Sequence, residues 1–235
     1  MGSIRAGMGL ERGDKVTRLE AFVDAAFAFS VTLLVISGDQ IPTSVSMLID
    51  SLKQVPAYAA SFMIIMQFWL NHADWSRRYG LEDIVSDRLS LVLIFVLLIF
   101  VYPLNMVFAT FFSMISAGYL PTRFEFDNWQ QVPILFKTFA IGFGAMALVM
   151  CLLFDRAIRL GARLNFSEAE IAYAKYKRFM WSTVVSFCLL SFILAAIIPA
   201  TRESGVWIGM PGYIFFVLNI IHIFMRRHYR KKNIV

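Results

Sequence analysis

Arg18-Leu19-Glu20-Ala21-Phe22-Val23-Asp24 opens the first of six apolar runs, which continues from Ala26 as Ala-Phe-Ala-Phe-Ser-Val-Thr-Leu-Leu-Val-Ile to Ile36. Two opposite charges, Arg18 and Asp24, stand at the mouth of a segment otherwise suited to hydrocarbon. A charge at mid-bilayer costs about 2.5–3.5 kcal/mol on the milder scales, so such residues face protein or water and mark a site. Arg18 by itself reads as an interfacial residue. Asp24, about one and a half turns further in, reads as a member of a buried network.

Composition agrees with a membrane setting. Of 235 residues, 59% are hydrophobic, 15% aromatic and 16% charged, against about 25% charged in a soluble domain. The charges cluster between the apolar runs, which leaves little room for a soluble domain. The net charge of +6 comes from basic residues flanking those runs, and these read as topology signals rather than a nucleic-acid surface. Met1–Thr17 lacks the early apolar core of a cleavable signal peptide, so the first span is expected to serve as its own insertion signal. Cys151 and Cys188 both fall inside apolar runs and read as small core or lipid-facing residues.

A spanning helix needs about 20 mostly apolar residues. Six candidates fit: Arg18–Gly38, Leu52–Trp75, Leu89–Ser116, Val132–Phe154, Phe179–Ala200 and Val206–Met225. An open strand would leave its backbone unsatisfied in lipid, and a barrel would alternate apolar and polar residues. Leu91–Val101 shows no such alternation. The expected fold is an all-α integral membrane protein, residues 1–235 forming one six-helix domain. Lys and Arg divide 18 against 4 between the two sides of such a topology, which predicts both termini in the cytoplasm. In the loop Asp155–Arg178, Asn165 or Ser167 is expected to cap a helix start. Tyr173, Tyr176 and the neighbouring basic residues suit an interfacial helix leading into the fifth span.

The first span is graded along its length: charged at its start, apolar in the middle, polar again at Ser37, Asp39 and Gln40. Phe29, Leu33, Ile36 and Gln40 follow steps of four, three and four and share one face, a pattern that ordinary packing also explains. The second span ends Phe68-Trp69-Leu70-Asn71-His72-Ala73-Asp74-Trp75. Trp69 and Trp75 suit an interfacial aromatic belt, and Asn71 and His72 can each donate and accept. The topology brings this end to the side of Arg18 and Asp24, where a network of Arg18, Asp24, Asn71 and His72 is geometrically plausible. The alternative is a His72 that sits among headgroups. Asn105 after Pro103 suits a polar residue at a kink. His72, His222 and His228 have no metal-ligand spacing on one helix. Phosphate loops, Ser-His-Asp patterns and a Thr-Val-Gly-Tyr-Gly filter are absent from the sequence, so nothing supports an enzyme, and no cofactor is expected.

Arg18-x-x-x-Phe22-x-Asp24, running into the apolar stretch quoted above, resembles the first-helix Arg-x-x-x-Phe-Ser-Asp signature of the transmembrane protein 175 family of potassium channels. Phe68-Trp69-Leu70-Asn71-His72 resembles that family's Trp-x-x-His ending. The resemblance implies a single-repeat prokaryotic form, a homotetramer in the plasma membrane whose first helices line a central pore. It places Phe29, Leu33 and Ile36 at an apolar constriction and Thr32 at a position tied to potassium preference. It places Arg18, Asp24, Trp69 and His72, beside Asn71, in a structural polar network, within which Asp24 is expected to pair with Arg18. The implied partners are the chain's own copies and the bilayer, with no nucleic acid, and the permeant species is K+. Two positions depart from the pattern: Val23 stands for the signature serine, and Phe29 stands where Ile or Leu is usual. The rival readings are a secondary transporter, for which Pro103-Leu104-Asn105 is the one broken-helix candidate, and a non-conducting membrane scaffold or sensor.

Overall fold

The computed structural model describes residues 16–36, 42–122, 126–201 and 207–231. Among them lie seven α-helices and no strand: α1 (Arg18–Ile36), α2 (Val45–Leu52), α3 (Val55–Tyr79), α4 (Ile84–Ile115), α5 (Gln131–Gly161), α6 (Glu168–Ile197) and α7 (Met210–Lys231). Five segments are long and apolar enough to cross a membrane: α1, α4, α5, α6 and Trp207–Arg227, which carries α7. Ser37, Gly38, Asp39, Gln40, Arg5, Arg12, Lys15, Arg123, Arg202, Val206, Lys232 and the side chain of His228 lie outside the described residues.

The helix boundaries follow from local chemistry. At the start of α1 the Thr17 amide donates to Glu20 Oε2 at 2.7 Å and the Glu20 amide donates to Thr17 Oγ1 at 3.1 Å. This reciprocal pair satisfies two of the donors that a helix start leaves open. α3 ends at Gly80, whose φ of 54° closes the last turn in the left-handed region. Asp83 caps α4, accepting from the Val85 amide and the Ser86 hydroxyl. Ser167 caps α6 in a box with Glu170, which resolves the choice between Asn165 and Ser167.

α5 and α6 pack along each other at the centre of the bundle, α4 lies on α5, and α7 lies on α6. α1 and α3 lie on the α4 side, and Phe215 and Phe216 of α7 reach α5 and α4. Phe100, Phe139 and Phe143 interlock between α4 and α5, and Phe68 of α3 stacks on Trp181 of α6 at 4.9 Å. A side chain at Gly142 would overlap the Phe100 ring, so glycine sets how closely α4 and α5 approach.

The expected spans shift in three places. The second candidate begins as the separate short helix α2, and a break at Lys53–Gln54 precedes α3. α3 has 25 residues but is less apolar than the five spanning candidates. The interfacial helix expected before Phe179 is the first part of a continuous α6, because Lys175, Lys177 and Arg178 interrupt the apolar run without breaking the backbone. α4 likewise runs through Pro103 to Ile115.

Candidate functional site at α1 and α3

α1 presents two unlike faces. Val23, Phe27, Ser30 and Leu34 are buried, in steps of four, three and four. Arg18, Phe22, Ala25, Phe29, Thr32 and Ile36, in steps of four, three, four, three and four, are all exposed in the single chain. These are opposite stripes of one helix. Phe29 is 55% exposed and Ile36 is 66% exposed. Leu33 lies beside that stripe and is partly buried against the core. The Thr32 hydroxyl donates to the Ala28 carbonyl at 3.1 Å, and Ser30 donates to Ala26 at 2.8 Å.

α3 joins four other helices through polar groups spaced along its last turns. Trp69 Nε1 donates to Asp24 Oδ1 at 2.7 Å, and Ser76, seven residues on, donates to Glu20. Both bonds reach α1, and their order along the two helices is that of an antiparallel pair. His72 Nε2 meets Ser90 Oγ of α4 at 2.9 Å. Trp75 Nε1 donates to the Leu153 carbonyl of α5 at 2.9 Å. Tyr79 donates to the Glu170 carbonyl at 3.0 Å. Tyr173 of α6 donates to Asp74 at 2.7 Å, and Lys177 donates to Asn71 at 2.7 Å. Buried polar groups need such partners, which explains why a helix too polar for the spanning set lies inside the bundle.

The expected network is therefore divided. Asp24 and Trp69 come together. Asn71 and His72 are buried but turn to α6 and α4 respectively. Among the described residues Arg18 and Asp24 form no ion pair, and both are exposed in the single chain. Glu20 was not among the sequence candidates, although Thr17-x-x-Glu20 is a readable capping pattern. Ser76, Ser90 and Lys177 carried no motif, and Trp75, expected in an interfacial belt, is instead buried and bonded to α5.

Near the same end, Arg156 of α5 reaches Asp83 through Nε at 3.1 Å and through a terminal nitrogen at 2.9 Å. Partial burial alone would push the Asp83 carboxyl up, but hydrogen bonds from Ser86, Arg156 and the Val85 amide, with the guanidinium charge, hold it below the usual carboxylate range. Among the described residues, no three His, Cys, Asp or Glu side chains gather where a metal could sit.

Comparison with known proteins places this arrangement. Residues 18–103, from the start of α1 into α4, match the model of the family described as endosomal/lysosomal potassium channel TMEM175. A protein of Marivirga tractuosa named potassium channel is 32% identical over 228 residues, covering 94% of this chain and 91% of that protein. The crystal structure of a variant of the potassium channel MtTMEM175, bound to a nanobody-MBP fusion, superposes with a TM-score of 0.79. The two are 31% identical, and the match covers 95% of this chain and 100% of that one. The chain accordingly belongs to the TMEM175 family of potassium channels.

Proposed function

We propose that this chain is a potassium-permeable cation channel, assembled as a homotetramer in which α1 lines a shared axial conduit. The observation that carries this reading is the bare stripe of α1, with Phe29, Thr32 and Ile36 exposed on a helix whose opposite face is packed into the bundle. Four such stripes around one axis would cover one another. Phe29 and Ile36 would form apolar rings that narrow the path, and Leu33 would flank them. A narrow apolar ring stops ions by losing its water, with no charged plug. Opening would need α1 to rotate or tilt. K+ sheds its hydration shell at lower cost than Na+, and apolar walls replace few of the lost water ligands, so the preference for K+ would be modest. Thr32 would contribute the one side-chain oxygen on the stripe between Phe29 and Ile36.

In this reading α3 is the sixth span. At 1.5 Å per residue its 25 residues reach about 37 Å, enough for a hydrocarbon core of about 30 Å. Its polar groups would be hidden from lipid by the helices they bond. The basic end of the bundle would lie in the cytoplasm with both termini, as the 18-to-4 division of Lys and Arg in the sequence favours, at the plasma membrane of a prokaryote. Asp24, exposed in the single chain, is bonded to Trp69, which supports a fastening role over one in concentrating cations.

Recording from purified protein in planar bilayers, with K+ on one side and Na+ on the other, tests the proposal. Unitary currents with a reversal potential displaced modestly toward K+ are expected. Saturable, gradient-coupled uptake without unitary currents would replace the channel with a transporter, and neither activity would leave a scaffold. Phe29→Ala, Leu33→Ala and Ile36→Ala should each raise the leak. Unchanged currents across that series would remove these residues from the pore.

A further inference from the structure

At the basic end of the bundle, three helices bring cations together beside the Asp74 carboxylate. Arg78, in the last turn of α3, lies over the Tyr173 ring of α6 at 4.0 Å. Lys177, one turn further along α6, stands 5.4 Å from the same ring. Arg226 of α7 is within electrostatic reach of Lys177, and the Tyr176 and Tyr229 rings, 4.6 Å apart, hold the end of α7 against α6 there.

The counter-charge is incomplete. Asp74 is the one carboxylate acting on Lys177 among the described residues. It already accepts from Tyr173 at 2.7 Å and meets Arg78 only at 3.4 Å. Arg78 Nε is buried without an acceptor. Lys177 spends one donor on the neutral oxygen of Asn71 and has others. Three cations share Asp74, and Glu170 is the next carboxylate in reach of the same cluster, so positive charge remains in excess. Like charges held this close repel one another, and the arrangement is favourable when an anion joins them.

We propose that α3, α6 and α7 form a binding site for the phosphate group of an anionic phospholipid, with Lys177 and Arg226 meeting the phosphate oxygens and Arg78 supplying charge from beneath. The location fits a lipid rather than a soluble anion. α7 packs mainly on α6, touches α5 and α4 through Phe215 and Phe216, and is the least covered of the five spanning segments, so the site opens where α7 leaves the bundle exposed. Arg226 follows the exposed apolar residues Ile220, Ile223 and Phe224 of the same helix, which would lie along acyl chains while Arg226 reaches the headgroup level. Basic hollows between membrane helices at the cytoplasmic side take anionic headgroups in this way. The leaflet assignment rests on the proposed orientation, whereas the site itself does not.

Thermal unfolding of the purified full-length protein in detergent micelles, doped with phosphatidylglycerol or with phosphatidylcholine, needs neither orientation nor conduction. Phosphatidylglycerol should raise the midpoint by about 4 °C or more over phosphatidylcholine, by mass action on the folded state. Arg226→Gln, at an exposed position, should remove at least half of that gain, and Arg226→Glu all of it. Lys175→Gln, exposed at the same end of α6, should leave the gain intact. Equal midpoints in the two lipids would overturn the proposal. So would a loss in Lys175→Gln as large as in Arg226→Gln, which would mark diffuse surface attraction. Inorganic phosphate reproducing the full gain would overturn the lipid as the source of the anion.

Discussion

Along α1, the first two turns and the last two differ in how they are held. Glu20 and Asp24 each accept a hydrogen bond from α3, through Ser76 and Trp69. Beyond them, among the described residues, the side-chain hydrogen bonds of α1 return to its own carbonyls, from Ser30 to Ala26 and from Thr32 to Ala28. Directional bonds fix the height and rotation of the first half, the inner one in the proposed orientation. The outer half is held by the apolar packing of Phe27 and Leu34, which is non-directional and tolerates small rotations. A helix pinned at one end and greased at the other can swing its exposed stripe without leaving the bundle. This is the motion that an apolar gate on Phe29 and Ile36 requires.

The largest effect should come from the outer half. Phe29→Ala and Ile36→Ala are expected to raise K+ flux into liposomes on the order of tenfold, a change of about 1.4 kcal/mol in the barrier, with thermal stability nearly unchanged. If both variants lose stability and keep their flux, the two halves have been assigned the wrong way round. Next come variants of the inner half. Trp69→Phe removes the donor to Asp24 and should cost about 1–3 kcal/mol, read as a lower unfolding midpoint and less assembled oligomer on size exclusion. Full stability in Trp69→Phe would show that the inner half is not anchored there. Gly142→Leu, which drives a side chain into Phe100, should cost about 1–3 kcal/mol by overpacking while leaving the K+/Na+ ratio unchanged, since α4 and α5 lie away from the exposed stripe.

A smaller effect belongs to the Asp83–Arg156 pair. The folded carboxyl is held below its ordinary value of 3.8. Its contribution is therefore present above the unfolded value and is lost as pH falls through the lower folded one. Thermal unfolding of wild type and Asp83→Asn should differ most near neutral pH and converge in acid. A constant difference across that range would separate Asp83 from the acid limb. The smallest effect should be at Thr32: Thr32→Val removes the stripe's hydroxyl and should lower the K+/Na+ permeability ratio by less than about tenfold, read from reversal potentials.

Much of this architecture was legible in sequence, and the misses have physical causes. Unbroken apolar runs such as Leu91–Val101 identify a membrane helix from composition alone, and the three-four spacing of Phe29 and Ile36 places both on one face. α3 was harder. Trp69 read as part of an interfacial aromatic belt, and Asn71 and His72 read as one network with Arg18 and Asp24, with headgroups as the alternative for His72, while Asp74 carried no reading. The four α3 residues lie instead on different faces of one helix, each turned to a different neighbour. Which neighbour each meets depends on how helices are arranged around α3, and a one-dimensional pattern does not carry that. Lys177 was counted as a topology charge and as one of the basic residues of an interfacial helix, and its bond to Asn71 spans more than a hundred residues. The pairing of Asp24 with Arg18 was expected from the proximity of opposite charges, but Asp24 bonds Trp69, and Arg18 lies on the exposed stripe with Phe29 and Ile36.

The central claim is that the exposed stripe of α1 faces an ion path. Cysteine block tests it most directly. In a Cys151→Ser, Cys188→Ala background, Phe29→Cys and Thr32→Cys channels would be recorded before and after a charged, membrane-impermeant thiol reagent, with Leu190→Cys, exposed on α6, as the control away from α1. Rapid loss of current at positions 29 and 32, with none at 190, is the predicted result. Currents untouched at 29 and 32, in protein shown by mass spectrometry to be modified there, would contradict the account.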